Sequence, residues 1–256
     1  MTALLRLAAR AVRVGLIACA AAAALPGSAG VVQVAVAANF AVPMQQIAAL
    51  FESDTGHSAI VSLGSTGRFY AQVRNGAPFD VLLAADDETP LKLEAEGLAV
   101  KGSSFVYATG RLVLWSARPN FVDNRGAVLA RGGYNKLAIA DPRLAPYGRA
   151  ALETLQKLDL VRLQATAVQG ESISQAFQFV QTGNADLGFV ALSQIMQDGR
   201  VATGSAWIVP ADMHSPIRQS AALLAKGKDK PAPIALLAFM RTDKARAIIR
   251  RHGYEL

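Results

Sequence analysis

The sequence predicts an α/β fold built on mainly parallel sheets. Three observations carry this reading. Short apolar runs alternate with amphipathic segments along almost the whole chain, glycines stand where helices must stop, and no long linker divides the units. Hydrophobic residues make up 52% of the 256, enough for real cores, although an alanine-rich leader inflates the figure. That length fits one large or two small domains.

Taken in order, residues 31–37 are valines and alanines interrupted only by Gln33 and read as the first strand. Residues 43–51 follow as a helix, with Pro43 in the first turn, where a missing N–H costs little. A strand at 59–63 leads to a helix at 67–74. A third strand at 81–84 leads to a helix at 88–96, which Gly97 stops. Strands are expected at 112–115 and 136–140, then a helix at 149–158 and a strand at 165–168. The helix at 174–182 ends at Gly183, and the strand at 187–190 precedes a short helix at 193–197. After Trp207-Ile208-Val209 and a loop at Pro210, residues 219–224 return as a strand. Helices at 234–240 and 244–252 close the chain. Such alternation fits a single domain or two lobes between which the chain crosses twice, and pattern alone leaves both open.

Residues 1–29 stand apart. Arg6, Arg10 and Arg13 form a basic start without acidic residues, residues 14–25 are apolar except for Gly15, and Pro26-Gly27-Ser28-Ala29 offers small residues for cleavage. This is the layout of a secretory signal peptide, and the run is too short to span a bilayer. The exported chain is expected to begin near Gly30. Cys19 is the single cysteine, so no intramolecular disulfide and no cysteine-based metal site can form. Leu16-Ile17-Ala18-Cys19 resembles a lipoprotein box, but the apolar stretch before it is very short, which favours simple cleavage. Three of the 26 Lys and Arg residues lie in this leader; the other 23 against 19 acidic residues leave a net charge of +4. No dense basic stripe remains, which argues against nucleic acid as a partner.

In parallel α/β sheets ligands bind beyond the carboxyl ends of the strands, where the next helices begin with free N–H groups suited to an anion. Four such starts carry fitting residues. Asn39 follows the first strand and also fits a plain N-cap. Gly64-Ser65-Thr66-Gly67 places two hydroxyls between glycines that let a ligand approach, and also fits an ordinary capped turn. Asp141-Pro142-Arg143-Leu144-Ala145-Pro146-Tyr147-Gly148 presents Tyr147 before a helix, and the last start is Glu171-Ser172-Ile173-Ser174. Catalytic patterns are weaker. His57, His214 and His252 are scattered, and Asp80, Asp86 and Asp87 read as caps of a turn and of the helix at Glu88. Ser65 lacks the spacing of a nucleophile elbow, and no Gly-Lys-Ser/Thr phosphate loop occurs.

Three blocks, Val36-Ala37-Ala38-Asn39-Phe40, the run from Gly64 through Thr66 and Tyr70 to Val73, and Asn75-Gly76-Ala77-Pro78-Phe79-Asp80-Val81, resemble the periplasmic molybdate-binding proteins of ABC importers. Asp141-Pro142, Pro146-Tyr147-Gly148, Asp186-Leu187-Gly188-Phe189-Val190 and the terminal Ile249-Arg250-Arg251-His252-Gly253-Tyr254 continue the match in order. The resemblance implies a two-lobed periplasmic-binding-protein fold, each lobe a mainly parallel sheet flanked by helices, joined by two crossing strands. Lobe I would take residues 30–110 and 213–256, and lobe II residues 111–212. It also implies a monomer in the periplasm that needs no cofactor, is not an enzyme, binds molybdate or tungstate and delivers it to an inner-membrane ABC permease. Neutral donors would hold the anion, namely hydroxyls, a side-chain amide and backbone N–H groups: carried over by position, Asn39, Ser65 and Thr66 from one lobe, and Tyr147 and the backbone of Ile173 from the other, with no other metal site. Many members have Ser at the position of Asn39 and a ligand tyrosine at the position of Ala191. Here, as in a subgroup, the tyrosine stands at 147, so a hydroxyl is relocated. The competing readings are a binding protein for sulfate, phosphate or a phosphonate, and a secreted α/β hydrolase.

Overall fold

The computed structural model describes residues 29–197 and 199–256. The expected leader up to Ser28, with Cys19, lies outside the described residues. The first lobe opens with β1 (Val31–Ala37), α1 (Ala41–Thr55), β2 (Ser58–Gly64), α2 (Thr66–Arg74), β3 (Val81–Leu83), α3 (Glu88–Ala95) and β4 (Phe105–Gly110). The chain then crosses into the second lobe with β5 (Leu112–Ser116), α4 (Val128–Arg131), β6 (Leu137–Ala140) and α5 (Pro146–Lys157). There follow α6 (Leu163–Thr166), β7 (Val168–Gly170), α7 (Ile173–Gln181), β8 (Leu187–Ala191) and α8 (Leu192–Ile195). A small hairpin of β9 (Met196–Gln197) and β10 (Arg200–Val201) precedes β11 (Ser205–Ile208). The return to the first lobe is β12 (Ile217–Leu223), α9 (Pro231–Phe239) and α10 (Asp243–Arg251).

Each lobe is a five-stranded sheet flanked by helices, with strand orders β2-β1-β3-β12-β4 and β11-β5-β8-β6-β7. One strand runs against the other four in each sheet: β12 in the first, β5 in the second. These are the strands that carry the chain into each lobe after a crossing, so their reversal follows from the path. The expected α/β class and two-lobed architecture are thus what the chain adopts.

Burial explains why the central strands are so apolar. Val32, Val34 and Val36 of β1 pack with Phe40, Met44, Ile47 and Phe51 and with Leu236, Ile248 and Ile249 of the closing helices. On the opposite face Ala35 packs with Phe69, Leu82 and Leu93. A strand buried on both sides needs no polar alternation. The second sheet repeats this. Leu112, Leu114, Ile139 and Phe189 face one core, while Val113, Trp115, Ala138 and Val190 face another that α7 covers. Local stops are also plain. Gly56 ends α1 in the left-handed conformation, φ 73°, and its N–H returns to Glu52 O at 2.8 Å. Ser172 and Thr242 cap α7 and α10 by accepting from Gln175 and Ala245 N–H.

Four local expectations are corrected. Residues 165 and 166 finish the helical turn α6, and the strand expected at 165–168 is β7, because only Val168 to Gly170 reach the ladder of β6. The helix expected at 193–197 ends at Ile195, since Met196 and Gln197 pair with Val201 and Arg200. β4 was not anticipated; it is held by antiparallel pairing to β12, more than 100 positions later. Asn39 does not cap α1: it lies in a 3-10 turn, Ala38–Phe40, and Phe40 takes the cap position.

Asp80 is not a turn cap either. It is 1% exposed, accepts the Gln33 N–H at 2.8 Å and pairs with Lys230 Nζ at 2.7 Å, tying β1 to the start of α9. Asp80→Ala leaves the Gln33 N–H buried without an acceptor, so a loss of roughly 1–3 kcal/mol is expected. Urea unfolding should show a lower midpoint at unchanged slope. An unchanged midpoint would show that water replaces the carboxylate there.

Candidate functional site

The carboxyl ends of β1, β2, β6 and β7 all face the space between the lobes. The 3-10 turn follows β1, α2 follows β2, α5 follows β6 and α7 follows β7. Thus four helical starts, two from each lobe, meet there. The meeting is direct. Gly67 N–H at the start of α2 donates to Leu144 O before α5 at 2.9 Å, and Ser174 Oγ at the start of α7 donates to Ala38 O at 3.1 Å. Ala38 and Ala85 of the first lobe join one apolar cluster with Ala145, Tyr147 and Ile173 of the second.

Every residue expected at the site is buried here: Asn39, Ser65, Thr66, Tyr147 and Ile173 are each 1–4% exposed. Ser65 alone of the five lines an interlobe cleft of about 470 Å³, beside Ala38, Ser172 and Ser174. The other four lie deeper. Ser65 Oγ is buried and has no hydrogen-bond partner in the protein, although Ser65 occupies the cap position of α2. Buried hydroxyls are nearly always satisfied, so an orphan at a helix start marks a place for an external acceptor. Thr66 Oγ1 accepts the Ala85 N–H at 2.9 Å, which leaves its own proton to give. Ile173 is the first residue of α7, so its N–H has no intrahelical acceptor.

Tyr147 is the second residue of α5, and its hydroxyl accepts from Gln219 Nε2 at 3.2 Å. Burial pushes its pKa well above the ordinary phenol value, with Tyr254 and Tyr107 adding to the rise, so it keeps its proton. Asn39 differs from expectation in its chemistry. Its Nδ2 donates to Gln219 Oε1 and to Tyr254 Oη, both at 2.9 Å, so the amide protons are already engaged. What Asn39 leaves free is its main-chain N–H, which at the second residue of the 3-10 turn has no acceptor within the turn.

Sequence reasoning missed the residues behind these donors. Gln219 and Tyr254 sit 180 and 215 positions from Asn39. Gly110 at the crossing is required by space: a Cβ there would lie 2.0 Å from Tyr147 Oη and 2.6 Å from Gln219 Nε2. Only Tyr254 falls in a motif, the terminal block of the resemblance, and nothing local there gives it a role at the site.

Ion pairs across the cleft flank this centre. Arg68 of α2 meets Glu171, and Arg149 of α5 meets Glu88 at 3.0 Å and Asp86 at 3.3 Å. None of these charges enters the five-residue centre. Among the described residues no group of three His, Cys, Asp or Glu side chains could hold a metal, and no helix is long and apolar enough to cross a membrane.

Residues 32–255 match the family model described as bacterial extracellular solute-binding protein. The chain belongs to that family. Within it, this solute-binding protein is 56% identical over 243 residues to the molybdate-binding protein ModA of Azotobacter vinelandii, covering 94% of each chain. It is 50% identical to the molybdate-binding protein ModA of Rhodobacter capsulatus, covering 90% of each. Its fold superposes on the solved periplasmic molybdate-binding protein of Azotobacter vinelandii with a TM-score of 0.85 at 42% identity, over 88% of this chain and 99% of that one.

Asp86 offers a test of the interlobe rim. Burial raises its pKa above the ordinary carboxylate value, against the lowering effects of the Thr89 bonds and Arg149. The unfolded chain therefore loses this proton first as pH rises, and folded stability falls through the window between the two values. Asp86→Asn keeps an acceptor for the Thr89 N–H but cannot ionise. Its stability should gain on that of the parent as pH rises from about 4 to about 7. Parallel urea curves for the two proteins, with a constant gap across that range, would refute the elevated carboxyl.

Proposed function

We propose that this protein is a periplasmic binding protein for a tetrahedral oxyanion, molybdate and tungstate, and that it delivers the anion to an inner-membrane ABC permease as a monomer. It binds and does not catalyse. The observation that carries the reading is the buried, unpartnered Ser65 hydroxyl at the start of α2, set where four helical starts from two lobes meet. The molybdate-binding relatives name the anion. We place the lobe boundaries at 110/111 and 212/213, in keeping with β4 ending at Gly110 and β12 beginning at Ile217.

In this reading the Ser65 and Thr66 hydroxyls and the Asn39 main-chain N–H come from lobe I. The Tyr147 hydroxyl and Ile173 N–H come from lobe II. All are neutral donors. Several oriented dipoles can replace a hydration shell without a counter-ion, and each bond to the charged ligand is stronger than a neutral pair. Selectivity follows from size, because donors spaced for long metal–oxygen bonds lie too far from sulfate oxygens for good hydrogen bonds.

Calorimetry on the exported form should show one molybdate or tungstate per chain and no competition from sulfate or phosphate. Sulfate binding of equal strength would move the assignment to another anion, and ester hydrolysis abolished by Ser65→Ala would move it to an enzyme. Tyr147→Phe removes one donor and keeps the ring. Losing a hydrogen bond to a charged group should cost roughly 1.5–3 kcal/mol, about ten- to a hundred-fold in affinity. Undiminished affinity would make Tyr147 a packing residue. The mass of the exported form should place its first residue near Gly30; a lipid on Cys19 would overturn that cleavage.

A further inference from the structure

One buried amide touches both lobes' share of the proposed site. Gln219 is 0% exposed and lies on β12, the strand that returns the chain to the first lobe. The register of β12 against β4 shifts between Gln219 and Ser220, a bulge that re-aims side chains at this point. Gln219 Oε1 accepts from Asn39 Nδ2 at 2.9 Å and from Tyr107 Oη at 3.1 Å. Its Nε2 donates to Tyr147 Oη at 3.2 Å, across the lobe boundary. The Gly110 gap described above makes room for that contact.

We propose that Gln219 is the positioning residue of the anion site: by donating to the oxygen of Tyr147 it turns the phenol proton toward the ligand, and by accepting from Asn39 it fixes the 3-10 turn that presents the opposite donor. The inference rests on the oxyanion reading above. Its logic is the count of protons and lone pairs. A phenol has one proton. With Gln219 filling an acceptor position on Tyr147 Oη, that proton is left to the other oxygens around it, Tyr254 Oη in the protein and an external acceptor when the anion is bound. A side chain at 219 that could only accept would draw the proton to itself and leave the anion facing lone pairs. Asn39 is held from two sides, by Gln219 and by Tyr254 Oη, so its main-chain N–H cannot swing away without breaking buried bonds. One amide of two ends serves both needs, whereas a carboxylate, which has no N–H, serves only one.

The groups facing Gln219 are Tyr107, Tyr147, Tyr254 and the Asn39 amide, with the Asp86 carboxyl near enough to act on Tyr107. Burial raises all three phenols, so they remain neutral donors across the pH range of the test. Within this cluster a carboxylate placed at 219 would be the new titrating group.

The test is a set of tungstate and molybdate titrations on the full exported chain and its variants Tyr147→Phe, Gln219→Met, Gln219→Met with Tyr147→Phe, and Gln219→Glu. If Gln219 acts through Tyr147, Gln219→Met should weaken binding about tenfold or more in the parent and far less once Tyr147 is Phe, a coupling that a cycle isolates. Independent, multiplying losses would overturn the proposal while leaving the site intact. Gln219→Glu covers the case in which Gln219→Met fails to fold. Ionised, the introduced carboxylate accepts the Tyr147 proton and faces the anion with a like charge; protonated, it can donate as the native amide does. The affinity of Gln219→Glu relative to the parent should therefore climb as pH falls from about 8.5 to about 5.5, since burial raises a carboxyl's pKa into that range. A flat ratio across the range, or affinity equal to the parent's at the alkaline end, would also overturn it. If the parent itself takes up neither anion, the oxyanion reading fails and the positioning role goes with it.

Discussion

A helix start leaves N–H groups that the helix itself cannot satisfy, and burying them unmatched is costly. This chain brings four such starts to one interface between two lobes, and the rest of the interface follows from how they are matched. Some are matched internally: Gly67 N–H takes Leu144 O, and Ser172 Oγ takes Gln175 N–H. Ser174 and Ser193 hydroxyls cover the carbonyls of Ala38 and Asn39 from the other lobe. What is left over, the Ser65 hydroxyl above all, is where the proposed function puts an acceptor from outside. The sheets serve this end, since parallel strands deliver each helix start at the same edge.

The hinge is tied into the same arrangement. β4 and β5 are separated only by Arg111, and the crossing glycine, Gly110, lies against the Tyr147 hydroxyl and Gln219. Tyr254, three residues from the end of α10, reaches Asn39 and also stands 3.0 Å from Ser193 of the second lobe. Rotation of one lobe on the other must therefore disturb the bonds of Asn39, Tyr147 and Ser193 together. Buried networks with few spare partners favour discrete arrangements over a continuum.

Much of this was legible in the sequence, and what was not has a common cause. β1 and β8 announce themselves because strands buried on both faces are continuously apolar. The Gly64-Ser65-Thr66-Gly67 turn is readable because hydroxyls between glycines after a strand are local chemistry. β4 was not readable: Phe105-Val106-Tyr107-Ala108-Thr109-Gly110 is a strand because β12 pairs with it, and β12 comes far later. Asn39 looked like a cap because its local context is a helix start, but its amide is claimed by Gln219 and Tyr254 instead. The hydrogen-bonding roles of Gln219 span 180, 112 and 72 positions, and no window of sequence contains them. Local pattern reports propensity and burial; partners joined by the topology are invisible to it.

The interlobe ion pairs sharpen where closure energy must come from. Arg68 and Glu171 are half exposed or more, and Arg149 meets Glu88 at an open rim. Exposed pairs contribute about 0–1 kcal/mol and fade with salt. At that strength they do not hold the lobes together. The buried contacts at the centre are few and are mostly protein-to-protein exchanges of what water supplies in the open cleft, so their net gain is also small. In the proposed site a charged ligand would change that balance, because charge-assisted bonds to hydroxyls and N–H groups of both lobes exist only when the lobes meet around it. On the proposed function, closure is governed by the anion, and its strength depends on how many donors the buried network keeps aimed at the centre.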